Sequence, residues 1–278
     1  MNLRTFFLVI LTAAFSFKAH AITIVGGSDL LDPSGGAQLE SGLGEGPLTL
    51  TKIFTHTASF DARGNVVSDD GKTSLDFHAA ADGMGRTITL FRIEPRFNVH
   101  DVHGNVFDLP SLIVGGYSPQ SWESLTPGAS YHITADLADR TGAIFNLTDS
   151  LWFGQRSDDR GQYQTANQRD LGPSFGGGSD LGTTGGNDLD FGSIFPFTYT
   201  PGDQGRGLSV LGYDGGGGVY FSEIEVFAIS DSVAVGVPDS GSSLALVAIA
   251  FGALSVFRNT QKARSDRLPN FRAHCSNA

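Results

Sequence analysis

An uncharged apolar run of 16 residues, Ser242 to Phe257, ends in a stretch carrying Arg258, Lys262, Arg264 and Arg267. A membrane span usually takes about 20 apolar residues, with a lower limit of about 17. Pro238 and Asp239 block extension back through Val233–Val237. The run is therefore a short helix candidate, and the cations after it fit the bias for positive charge on the cytoplasmic side. The N-terminus carries a matching signal. Arg4 precedes a largely apolar stretch from Phe6 to Phe17, and Ala19-His20-Ala21 supplies the small residues of a secretory cleavage site. We expect cleavage after Ala21, so residues 1–21 take no part in the fold. An exported passenger lies between the two ends.

About 220 residues remain, enough for one domain with a sizeable core. The chain has 37 Gly, 21 Phe and 2 Met, a balance suited to short strands joined by turns. Residues 22–257 hold 28 acidic and 11 basic residues, a net charge of −17. Nucleic acid is disfavoured as a partner, because phosphate binding needs a basic surface. The single cysteine, Cys275, lies beyond the apolar run, which rules out an intrachain disulfide and a cysteine-based metal site.

The predicted architecture is mainly β, a β-sandwich with a few short helices and Gly-rich loops, plus an N-terminal signal helix and a C-terminal transmembrane helix. Residues 22–47 read as a flexible leader with a short strand at Ile22–Val25. Residues 48–230 read as the sandwich, 231–236 as a linker, 237–267 as the tail signal with its helix at 242–257, and 268–278 as an extension. Thr73–Ala81 predicts a short helix capped by Thr73 or Ser74 and stopped by Gly83 and Gly85. Thr87–Ile93 alternates like a half-buried strand, and Leu112–Val114 reads as a buried one. Gly142–Leu147 and Ser150–Phe153 are further strands. Ser118–Trp122 predicts a helical turn with Pro119 at its first position. Residues 154–190 predict a long loop region. Leu208–Tyr213 and Val219–Ile229, joined by Asp214–Gly218, predict a hairpin.

Two resemblances emerge from these segments. Val237-Pro238-Asp239-Ser240-Gly241, followed by the apolar run and the basic end, resembles the VPDSG variant of PEP-CTERM sorting signals, although the 21 residues from Arg258 onward exceed the usual short basic end. The resemblance implies an exosortase-type membrane protease as partner, with the membrane and exopolysaccharide as the setting. The second rests on Phe77-His78, Thr87–Leu90, Val114-Gly115-Gly116-Tyr117, Trp122, Ala143–Leu147, Gly172–Leu181 and Glu223-Ile224-Glu225-Val226-Phe227. Together these resemble a TLDc-type domain over roughly 48–229, which implies a β-sandwich with short helices, protein binding and no agreed catalytic site.

Chemistry-bearing residues are sparse. His100-Asp101-Val102-His103, near Asp108, is the best zinc-like cluster, but a third and fourth ligand are not evident. His78 reads as a packed hydrogen-bonding residue. No Gly-x-Ser-x-Gly elbow occurs, and neither Gly176–Gly178 nor Gly215–Gly218 continues as a phosphate loop. Asp180, Asp188, Asp190 and Asp214, interleaved with Gly and Asn, are the weak candidates for calcium. Asn146-Leu147-Thr148 matches a glycosylation sequon within an expected strand. The leading expectation is a non-enzymatic, membrane-tethered envelope or extracellular-matrix protein without a cofactor. A secreted hydrolase with paired carboxylates and a calcium-dependent carbohydrate-binding module are its rivals.

Overall fold

In the computed structural model the described residues are 22–231, except 101–105, 125–130, 185–187, 200–201, 204–205 and 214. The sorting-motif residues, the apolar run and the basic end lie outside them, as do Ala19 and Ala21. Among the described residues, no helix is long and apolar enough to cross a membrane.

The described chain is mainly β, with two α-helices. Strands β1 (Thr23–Val25), β2 (Leu48–Phe60), β3 (Val66–Asp69) and β4 (Thr87–Ile93) flank helices α1 (Pro33–Leu43) and α2 (Ser74–Ala81). A small hairpin, β5 (Arg96–His100) with β6 (Val106–Leu109), precedes β7 (Leu112–Ser118). Then come β8 (Tyr131–Ile133), β9 (Ala143–Asn146), β10 (Leu151–Gly154), β11 (Tyr163–Ala166), β12 (Ser174–Phe175), β13 (Leu181–Thr183) and β14 (Phe191–Ile194). A two-residue pair, β15 (Gly202–Asp203) and β16 (Arg206–Gly207), leads into the long β17 (Gly217–Asp231).

Strand β17 organises the sheet. Its first residues pair with β14, and its later ones pair with β4 on one side and β2 on the other, all antiparallel. The strand order is β10-β9-β7-β4-β17-β14-β13-β12-β11-β8, with β2 joined to β17 and carrying β1 and β3. Aromatic and aliphatic side chains from both halves share one core. Phe91, Val114, Ile144 and Val226 on the β10-to-β17 half meet Phe175, Leu181 and Ile194 on the other. Trp122 stands edge-on to Phe77 and to Phe175, with centroids 5.1 and 5.5 Å apart. Burying such rings contributes most of the driving force for a core of this kind.

The opposite face of the β10-to-β17 half carries a second core. Leu50, Ile88, Leu90, Phe145 and Phe227 there pack against Leu30, Leu31 and Leu39 from the leader. This corrects two expectations. Strand β4 is buried on both faces rather than half-buried, because each face has its own cover. The leader is an ordered layer rather than a flexible segment. Asp32 caps α1, its carboxylate accepting the Gly35 N–H at 2.7 Å, Pro33 starts the first turn, and Gly44 closes the helix at φ 66°. Gly35, Gly36 and Gly42 are poor helix formers, which hid α1 from sequence reading. Packing explains Gly42: a Cβ there would lie 2.4 Å from the Trp152 ring. Close approach to the sheet thus outweighs propensity.

Helix α2 forms where expected. Asp76 Oδ2 accepts from both the N–H and the hydroxyl of Thr73. Strands β7, β9 and β10 also fall at their predicted places. Three other expectations fail. Ser118–Trp122 makes no helical turn, because Trp122 is drawn into a bridge with Asp82 and its Nε1–H donates to Thr87 Oγ1 at 2.8 Å. The predicted 208–229 hairpin lacks its first strand. Residues 209–213 instead close a tight turn through Ser209 N–H to Tyr213 O at 2.9 Å, leaving β17 to pair with distant strands. Within 154–190, β11, β12 and β13 replace part of the expected loop; these strands are too short for a periodic signal.

Candidate functional site

A cluster of charged side chains lies where the leader crosses β17. Residues 223 and 225, two apart on a strand, share a face, and on that face Glu225 is fully buried. Its carboxylate accepts from Lys52 Nζ at 2.7 Å, from the Asp29 N–H at 3.1 Å, from the Leu30 N–H at 3.4 Å and from the Ser28 hydroxyl. Glu223 accepts from Arg92 Nε at 3.3 Å, and Arg92 also donates to the Asp29 carbonyl at 3.1 Å. Burial raises the Glu223 carboxyl above its ordinary value against the opposing pull of Arg92. Asp29, Glu223 and Glu225 are the acids, among the described residues, that bring ligand oxygens within 4.8 Å of one another. Lys52 and Arg92 already supply two positive charges to this group. The arrangement therefore acts as an ionic clamp on the 28–30 loop.

Beside the clamp, α1 and the β9–β10 turn enclose a groove with two adjoining cavities of about 350 and 410 Å³. Ser34, Gln38 and Leu147 line both. Asp29 and Asp32 stand at one end, and Leu151 and Trp152 at the other. Gln38 Nε2 donates to the Leu147 carbonyl at 3.1 Å, which ties the helix to the turn. Ser150 on the rim has φ 56°, a left-handed conformation uncommon outside glycine.

A third constellation surrounds His56 on β2. Its ring is 1% exposed, with Nδ1 2.7 Å from Asp70 Oδ1 and Nε2 2.6 Å from Asp190 Oδ1. Lys72 Nζ lies 3.0 Å from Asp70 Oδ2. The two carboxyls shift in opposite directions. Burial raises Asp190 against its hydrogen bond to His56. Burial also opposes ionisation of Asp70, but hydrogen bonds from Lys72 and His56 outweigh it and hold that carboxyl below its ordinary value.

Of the predicted calcium candidates, Asp180, Asp188 and Asp190 are described, and no single site gathers all three. Asp180 is buried beneath a turn, where its carboxylate accepts the N–H groups of Phe197, Thr198 and Tyr199 at 2.7 to 3.0 Å. Three backbone donors occupy the oxygens a cation would use. Burial beside Asp180 raises the Tyr199 hydroxyl well above its ordinary value, and that hydroxyl donates to the Gln164 carbonyl. Asp190 engages His56, and Asp188 accepts the Asp190 N–H at 2.8 Å. Asp214 and the side chains of His100 and His103 lie outside the described residues. His78 packs as expected, with Nδ1 2.8 Å from Asp82 and Nε2 facing the Gln168 and Leu171 carbonyls. Asn146 is buried and donates to Asp149 and to the Val210 carbonyl, so its amide faces inward.

Sequence reading missed both charged constellations. Two glutamates within an otherwise apolar strand, Glu223-Ile224-Glu225-Val226-Phe227, were the available signal for buried charge. The partners of His56 are 14 and 134 residues away, and nothing local marks them. No family model matches the chain, and no curated protein matches it.

Proposed function

We propose that this chain is an exported, non-enzymatic envelope or extracellular-matrix protein. It displays a TLDc-like β-sandwich and is tethered, sorted and in due course cut by an exosortase-type system. The tail carries the reading: Val237–Gly241, an uncharged apolar run of 16 residues and a basic end occur in the order a sorting signal requires. The passenger supports it by the way its charge is used. Glu225, Asp180 and His56 each tie distant chain segments together, which is the work of a self-supporting domain without disulfides. Acidity of −17 over 22–257 keeps such a domain soluble once displayed. Fractionation of native cells tests this against an Asp239→Ala/Ser240→Ala variant. Wild type is expected in the processed fraction and the variant in the membrane fraction. Identical, uncut behaviour of both removes the sorting reading.

The groove favours a second reading, a surface that binds neutral saccharide. Its lining combines hydroxyl, amide and carboxylate groups with the Leu147–Trp152 floor, and contains no Lys or Arg. That mixture suits the amphipathic faces of sugars better than an anionic ligand. Trp152 fluorescence under titration with neutral oligosaccharides tests it, and an unchanged signal with no heat of binding rejects it.

A further inference from the structure

We propose that His56, Asp70 and Asp190 form a proton-operated clasp that fastens the segment before α2 and the segment before β14 onto β2, and that opens as pH rises. The inference stands apart from the export reading and rests on the geometry of the three groups.

Two contacts of 2.7 and 2.6 Å join the ring to carboxylate oxygens, and each needs a hydrogen. A neutral imidazole supplies one. The closed clasp therefore holds one further proton, either on the ring, as an imidazolium between two carboxylates, or on Asp190 facing a neutral ring. The two forms bind the same number of protons and differ only in where the shared one sits. Loss of that proton sets a nitrogen lone pair against a carboxylate oxygen at 2.6 Å in a site 1% exposed, where water does not replace the lost bond.

The surroundings favour retention of the proton. Asp69 and Asp188 act on Asp190 with like charge. Lys72 is the cation of the cluster, but it bonds to Asp70 and to the Thr55 carbonyl. Ile224, opposite His56 on β17, contributes no charge. Phe77 of α2, which packs on Phe54 of β2, contributes none either.

The sign follows from proton counting. Between the ordinary aspartate value of about 3.9 and the ordinary histidine value of about 6.5, the unfolded chain also carries one such proton, and the clasp adds little pH dependence there. Above it, the closed clasp binds one proton more than the open chain. Opening is then favoured by up to about tenfold per pH unit until the clasp itself deprotonates.

Hydrogen exchange on the full-length protein in detergent, between about pH 6 and 9 and corrected for intrinsic rates, tests the clasp. Wild-type peptides covering 69–73 and 188–194 are expected to lose protection as pH rises, while β4 and β7 keep theirs. Asp190→Asn replaces the shared proton by an amide N–H that does not titrate, so it is expected to flatten the profile. His56→Phe is expected to leave both segments unprotected throughout. A wild-type profile that is flat, or an Asp190→Asn profile as steep as wild type, overturns the clasp. If Asp190→Asn fails to fold, the wild-type profile alone decides.

Discussion

Replacing Glu225 by alanine is the sharpest test of the leader clamp. The native carboxylate is fully buried and takes one ammonium, two backbone N–H groups and one hydroxyl. Alanine strands Lys52, whose side chain is 19% exposed, together with the Asp29 N–H and the Ser28 hydroxyl, while the Leu30 N–H keeps the Ser28 oxygen at 3.1 Å. Breaking a buried ion pair from one side costs about 3–5 kcal/mol, because the remaining charge stays desolvated. The larger part of that range applies here, since the Asp29 N–H and the Ser28 hydroxyl lose their acceptor with it. The loss falls first on residues 22–47, which are held to the sheet by this clamp and by Leu30, Leu31 and Leu39. Urea unfolding gives the magnitude, and limited proteolysis shows whether cuts fall within the leader before the rest opens. Lys52→Met combined with Glu225→Leu removes both charges and is expected to recover at least about 2 kcal/mol of the loss. A cost below about 1 kcal/mol for Glu225→Ala, or a double variant less stable than the single one, would refute the reasoning.

Gly116→Ala places a Cβ 2.5 Å from the Phe175 ring across the core. It is expected to cost about 1–3 kcal/mol by overpacking, and Phe175→Leu in the same chain should relieve part of it in thermal unfolding. Asp180→Ala leaves three N–H groups, two of them buried, without this acceptor and is expected to cost about 3 kcal/mol in the same assay. Because backbone donors hold that carboxylate, adding calcium or a chelator should leave the wild-type melting temperature unchanged. The Thr73 N–H and hydroxyl hold the Asp76 carboxyl below its ordinary value of 3.8. Its contribution is therefore present above that value and is lost as pH falls through the lower folded one. Protection of α2 amides is expected to fall on acidification, and Asp76→Asn should remove that dependence.

Local signals account for the elements that were legible. Strands β4 and β7 carry dense β-branched and apolar residues, and α2 begins at a capping residue followed three places later by an acid. Elements built by distant partners were not legible. In helix α1, Gly42 lies against Trp152 and Gly35 against Leu147, neither of which is near the helix in sequence. Strand β17 was visible as an apolar run, yet its partners β2, β4 and β14 lie 23 (Ile194 to Gly217) to 183 (Leu48 to Asp231) residues away in the chain. The charged sites follow the same rule. Glu225 meets Ser28 across 197 residues and Lys52 across 173, so only the oddity of a charge inside an apolar strand was on view. Asp180, Asp188 and Asp190 showed the opposite failure. Closeness in sequence suggested one calcium loop, but the fold sends Asp180 to a turn at 197–199 and Asp190 to β2.

The intact mass of the protein recovered from its own cells tests the central claim most directly. The mature chain is expected to begin at Ile22 and to end within or beside Val237–Gly241, outside the cytoplasm. A chain running from Met1 to Ala278 in the cytoplasm would contradict it.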